Sequence, residues 1–167
     1  MYYGELCISV YEKDNKSGIK FYTRKRKSYV LPAEETVNVG GCIDISSEDT
    51  TTIQNVLLDI AALAKQGNMK KYRTEWNGTI WSLAANANFA VLSGPFLFDF
   101  VSEKGKFYID VNGYLDESME PTHVGKIYAS NTGSVSIYQK CVTALREFGI
   151  TAAQVQEYCR VVGESVV

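Results

Sequence analysis

Between residues 70 and 111 the chain supplies one strand-like segment after another and no stretch long enough to cross a sheet as a helix. Strands joined by short turns pair antiparallel, because a parallel neighbour needs a crossover of a dozen or more residues. The segments are 70–76, 79–83, 85–92, 96–101 and 106–111. Trp76-Asn77-Gly78-Thr79 carries the dipeptide favoured by two-residue hairpin turns and is expected to separate the first two. Ser93-Gly94-Pro95 and Glu103-Lys104-Gly105 punctuate the rest, so an antiparallel meander is expected.

The N-terminal third is also β in character. Leu6, Ile8 and Val10 alternate with Cys7, Ser9 and Tyr11, and Asp14 to Gly18 supplies turn chemistry. A basic segment, IKFYTRKRKSYVL from Ile19 to Leu31, then forms the second arm of a hairpin. Arg24 and Arg26 alternate with Lys25 and Lys27, so neither face of this segment is suited to burial. An edge strand or a projecting hairpin tip is expected. A third strand spans Thr36 to Ile45, interrupted by Gly40-Gly41.

Ser46-Ser47-Glu48-Asp49 opens the clearest helix, on which Ile53, Val56, Leu57, Ile60, Leu63 and Ala64 fall at helical spacing. Lys65 lies in its last turn, Gly67 is placed to end it, and one face should pack on a sheet. After a polar loop from Asp116 to His123, a short strand Gly125–Ala129 leads through Asn131-Thr132-Gly133 into a helix from about Ser134 to Phe148, ended by Gly149. Thr151 and Gln154 have capping-box spacing for a last helix with Val155, Tyr158, Cys159 and Val162 on one face. The expected fold is α+β: one domain over 1–167, with a largely antiparallel sheet made of a meander and an N-terminal hairpin. Three helices cover it, two of them forming a C-terminal helical hairpin.

With 167 residues, 46% of them hydrophobic, the chain can bury roughly 70% of its unfolded surface around one core. No secretory signal or bilayer-length apolar run is visible, so a cytoplasmic protein without membrane contact is expected. Asn15-Lys16-Ser17 and Asn77-Gly78-Thr79 match the glycosylation pattern and are read as turns. Cysteines at positions 7, 42, 141 and 159 lack the close pairing of zinc or redox motifs. They are read as structural and reduced, with a bridge between Cys141 and Cys159 left to geometry.

The strongest chemical signal is the basic segment itself. Lys20, Arg24, Lys25, Arg26 and Lys27 interleave with Tyr22 and Tyr29, and Lys70, Lys71 and Arg73 form a second cluster. Such surfaces attract phosphate or an acidic protein face, and their aromatics stack on bases. The plainer reading is a solvated edge that resists aggregation. A net charge of −2 lacks the basic excess of a dedicated nucleic-acid binder.

Other constellations are weaker. Ala152, Ala153, Gln154, Gln156 and Glu157 do not make a recognition helix, so the last two helices are read as structural. Cys42 and His123, with Asp44 or Asp110 as orienter, compose a thiolate–imidazolium pair on paper, although Cys42 lies in a strand-like segment. Gly40-Gly41 lacks the spacing of a phosphate loop. Phe96, Phe98 and Phe100 form one stripe of a strand whose other side is also apolar apart from Asp99. A central buried strand is expected, with an aromatic binding face as the alternative, for which Trp76 and Trp81 are further material. Asp110, Asp116, Glu117 and Glu120 depart from the calcium-loop pattern and are read as solvated.

The functional expectation is a small non-enzymatic protein, without cofactor or metal, that occupies a partner's surface stoichiometrically. Its contact element is the basic-aromatic strand. The partner is a protein, acidic or part of a nucleic-acid-binding complex. An inhibitor of phage or mobile-element origin fits the small size and aromatic-rich composition. Direct binding of nucleic acid, single-stranded or through its backbone, is the second expectation, and a cysteine-dependent hydrolase the third.

Overall fold

A computed structural model describes residues 2–27, 37–66, 71–83, 89–103, 106–113 and 122–165, with side chains over 6–22, 43–65, 96–102, 107–110, 112 and 133–163. Seven strands form one sheet in sequence order: β1 (Tyr2–Lys13), β2 (Lys16–Lys27), β3 (Val37–Ser47), β4 (Lys71–Leu83), β5 (Phe89–Glu103), β6 (Lys106–Gly113) and β7 (Thr122–Gly133). Every neighbouring pair is antiparallel. Helix α1 (Thr50–Gln66) joins β3 to β4, while α2 (Ser134–Arg146) and α3 (Ala152–Ser165) follow the last strand. The α+β expectation, an antiparallel sheet with three helices, is met.

Local chemistry sets the element ends. Asp14 and Asn15 have φ of 54° and 64°, the pair of positive angles a tight hairpin turn requires between β1 and β2. Asp49 caps α1, its carboxylate accepting from the Thr51 amide at 3.0 Å and the Thr52 hydroxyl at 3.1 Å. Gly149 takes φ 83° and closes α2 with its amide on the Arg146 carbonyl, while the Ile150 amide reaches the Leu145 carbonyl. The capping box is present at the start of α3, where the Gln154 amide donates to Thr151 Oγ1 at 3.2 Å and the Thr151 amide to Gln154 Oε1 at 2.8 Å.

The sheet curls, because β1 and β7 approach each other although no ladder joins them. Helix α1 packs against β2, β3, β4 and β5, and meets α2 and α3 as well. Covered from both sides, it is buried at every position from Ile60 to Ala64 rather than along a single stripe. Phe21, Phe98, Phe100 and Phe107 fill the core beside it, with the Phe21 and Phe100 rings 5.3 Å apart. Helix α2 lies over β1, β6 and β7, and so spans the seam of the curl. Lys140 Nζ donates to the Leu6 carbonyl of β1 at 2.6 Å, and Ser134 pairs with Ser102 of β5 through their hydroxyls at 2.6 Å. Tyr158 of α3 donates to Asp59 of α1.

Three strand expectations are corrected. β4 runs straight through Asn77-Gly78, and β5 through Ser93-Gly94-Pro95. The two would-be breaks face each other, Asn77 opposite Pro95 and Gly78 opposite Gly94, with Ile45 of β3 on the other side of Gly78. Ladder pairing on both flanks overrides the local turn preference of Asn-Gly. Pro95 lies one residue beyond the end of the β6 ladder at Phe96, so its missing N–H leaves no β6 partner unsatisfied. The third correction concerns the basic strand, which is not an edge: β2 is paired with β1 on one side and with β3, out to Lys25, on the other. The expected polar loop ends sooner than His123, which belongs to β7.

Gly18 admits Tyr11. A Cβ built there would stand 2.2 Å from the Tyr11 Cζ, so the ring lies directly on the glycine backbone across the strand pair. Gly18→Ala should force the ring away and break its hydrogen bond to Asp44, lowering stability by about 1 kcal/mol. In a Tyr11→Ala background the same substitution should be neutral or stabilising, and thermal melts of the four proteins in the cycle measure the coupling.

Candidate functional site

The described part of the candidate surface lies on β1, β2 and β3 near the Asp14-Asn15 turn. Strand alternation places Phe21 and Ile19 in the core and leaves Lys20 exposed and Tyr22 half-buried. Lys20 stands opposite Asp44 of β3, yet the two make no ion pair. The Tyr11 hydroxyl donates to the Asp44 carboxylate instead, and the Lys20 ammonium sits 5.5 Å from the centre of the Tyr11 ring. An open groove of about 560 Å³ runs here, lined by Tyr11, Lys13, Lys16, Lys20, Asp44 and Ser46 among others. Tyr11, Lys13 and Lys16 were missed by the sequence reading; their signal was the register of the first hairpin, which places them beside Lys20.

The register also locates the rest of the predicted site. Arg24, Lys25, Arg26 and Lys27 occupy the last four positions of β2, opposite Glu5, Gly4, Tyr3 and Tyr2 of β1; their side chains, with Tyr29 and Lys70, lie outside the described residues. Lys71 and Arg73 open β4, opposite Val101 and Asp99. Ile19, Ile45 and Gly78 are level across three strands. From that level Arg24–Lys27 run toward one end of the sheet, and Lys71 and Arg73 toward the other. The two basic clusters therefore do not share one end.

Other candidates are redistributed. The Phe96, Phe98 and Phe100 stripe is buried, and β5 is a central strand flanked by β4 and β6, so the aromatic binding face is ruled out for these three. Asp99 is only 3% exposed on the other side of β5, with Arg73 and Asp110 its register partners and Lys126 beyond Asp110. Register thus sets two acids between two bases along one row of the sheet. Cys42 lies in β3 and His123 in β7; both side chains are outside the described set. Asp44, one proposed orienter of that pair, is committed to Tyr11. Among the described residues no group of three metal-ligating side chains is found.

Cys7, Cys141 and Cys159 are buried, and none of the three forms a disulfide. Burial, with the neighbouring Cys159, holds Cys141 far above the ordinary thiol range. Cys159 is also raised by burial, against the pull of the Lys65 ammonium. Tyr138 is raised mainly by desolvation, and Lys65 Nζ lies 4.9 Å from its ring centre. These are packed groups held neutral, unlike the depressed thiolates of reactive sites. No described helix is long and apolar enough to cross a membrane. Comparisons with protein-family models, with curated proteins and with solved structures return no match.

A native Cys141 that keeps its proton fixes the sign of one pH effect. The unfolded thiol ionises near about 8.5, so stability is fully present below that pH and declines above it. Thermal melts from pH 7 to 10 should show that decline, and Cys141→Ala should reduce its slope. Iodoacetamide at pH 8 should label Cys141 and Cys159 only after denaturation, as read by peptide mass mapping.

Proposed function

We propose that this protein acts without catalysis, by stoichiometric occupation of a protein partner's surface, with β2 as its principal contact element. The observation that carries this reading is the continuity of that strand. Exposed Lys20 and half-buried Tyr22 lead without a break in the chain into Arg24, Lys25, Arg26 and Lys27 on one strand of 12 residues. A strand paired with β1 along its whole length, and with β3 as far as Lys25 across a register shift between Tyr22 and Arg24, holds its backbone in place, which lowers the ordering cost of binding. The adjoining groove is open and walled by charged groups, which suits a partner's projecting side chains better than an enclosed small molecule. As an inhibitor, such a protein would act by covering a functional face of its target.

The test is affinity capture by the tagged full chain from the lysate of its own host cell, with and without nuclease, at two salt concentrations. A partner present in equimolar amount after nuclease treatment is expected. Replacing Arg24, Lys25, Arg26 and Lys27 together by glutamine should weaken capture at least about tenfold while leaving the thermal midpoint in place. Capture that vanishes with nuclease and falls steeply with salt would move the strand to nucleic-acid binding.

A further inference from the structure

β1 begins the sheet, so one of its two edges has no ladder partner. Which backbone groups that edge presents follows from the first turn. In a two-residue hairpin the residues flanking the turn exchange both ladder bonds, which makes Lys13 and Lys16 a bonded pair. Alternation then assigns Tyr11, Ser9 and Cys7 to the β2 ladder and turns the amides and carbonyls of Glu12, Val10, Ile8 and Leu6 away from it. The Leu6 carbonyl confirms this phase, because it accepts from Lys140 Nζ of α2 at 2.6 Å. Beyond that clasp, the outward backbone groups of Ile8, Val10 and Glu12 have no hydrogen-bond partner among the described residues. β7 comes near β1 without pairing to it. A groove of about 260 Å³ lies against the end of this open row, lined by Val10, Tyr11, Glu12, Glu147 and Phe148. Val10 and Phe148 are half-buried and pack against the core. The lining carries two acids and no base, and among the described residues neither carboxylate is in a hydrogen bond or an ion pair.

We propose that the Ile8–Glu12 edge of β1 takes an extended peptide segment of a protein partner as an added strand, with a basic side chain facing Glu12 and Glu147. Two independent observations select this occupant. The first is the backbone: alternate amides and carbonyls along a strand edge are matched by the main chain of another strand. The second is the groove, whose net negative lining favours a cation and repels a phosphodiester chain. Val10 and Glu12 lie two residues apart on one face, so the added strand carries an apolar residue two positions from its lysine or arginine. The apolar residue lies beside Val10 and Phe148, and the basic one beside the carboxylates. This contact is separate from the Arg24–Lys27 end of β2 and goes beyond the role given to that strand.

The test titrates the isotope-labelled full chain with a short, end-blocked peptide in which threonine alternates with valine and a central lysine, following backbone amide shifts and hydrogen exchange. Shifts clustered at Ile8, Val10, Glu12, Glu147 and Phe148 are expected, with slower exchange of the Ile8 and Val10 amides. Binding should weaken at least about tenfold in E12Q/E147Q, and by a similar factor when glutamate replaces the peptide's lysine. N-methylation of alternate peptide residues, which removes the donors facing β1 and leaves every side chain in place, should abolish binding in one of its two registers. That comparison needs no change to the protein and so carries no risk of unfolding it. The variant with Arg24, Lys25, Arg26 and Lys27 replaced by glutamine should bind the peptide as wild type does, so this contact stands or falls apart from that one. No shift at millimolar peptide, shifts confined to other regions, equal binding by E12Q/E147Q, or full binding by both N-methylated peptides would overturn the assignment. So would a dimer, detected by sedimentation, in which the Ile8 and Val10 amides are already protected, because the edge would then belong to a second copy of this chain.

Discussion

Everything in this fold is arranged around the burial of one helix. The last turns of α1 bury Ile60, Ala61, Ala62, Leu63 and Ala64 in succession, which no flat sheet on a single side can do. Strands on one side and two further helices on the other are the solution, and it requires a sheet that bends. Alanines at 61, 62 and 64 let neighbouring elements come close to the helix backbone, and the larger Ile60 and Leu63 fill the space between them. A truncation such as Leu57→Ala would open a cavity in this layer, typically worth about 2–5 kcal/mol.

The parts of the fold legible in the sequence were those set by local chemistry. The Thr151–Gln154 box and the Gly149 stop act within a few residues and occur where the pattern placed them, while the helix opening expected over Ser46–Asp49 narrows to a cap at Asp49, with Ser46 and Ser47 in β3. The misreadings were cases in which a distant partner outweighed a local preference. Asn77-Gly78 favours a turn in isolation, but here a strand lies on each side of Gly78. The alternating charges of β2 suggested an edge because alternation reports what each face meets, not which strands lie alongside. A basic strand can lie inside a sheet, with a neighbouring strand on each side.

The candidate surface was legible only in part for the same reason. Lys20 and Tyr22 belong to an obvious basic run, whereas Tyr11, Lys13 and Lys16 become neighbours of Lys20 only once the first hairpin has its register. Gly18 is the hinge of that arrangement: by yielding its side-chain space to Tyr11, it lets one hydroxyl occupy Asp44 and leaves the Lys20 charge unneutralised by its cross-strand acid. A single missing methyl thus alters the electrostatics of the groove as well as its packing. Asp99 illustrates the complementary case, an acid buried in a central strand whose register partners, Arg73 on one side and Asp110 on the other, only the ladder reveals.

The seam beneath α2 has a consequence in time. β1 and β7 meet there without a ladder, and α2 clasps the first strand through Lys140 on the Leu6 carbonyl. Leu6 and Lys140 are 134 residues apart in the chain, so at about 5–20 residues per second β1 waits on the order of ten seconds for α2. Until then α2 does not cover that edge, and an uncovered strand edge is a β template for other chains.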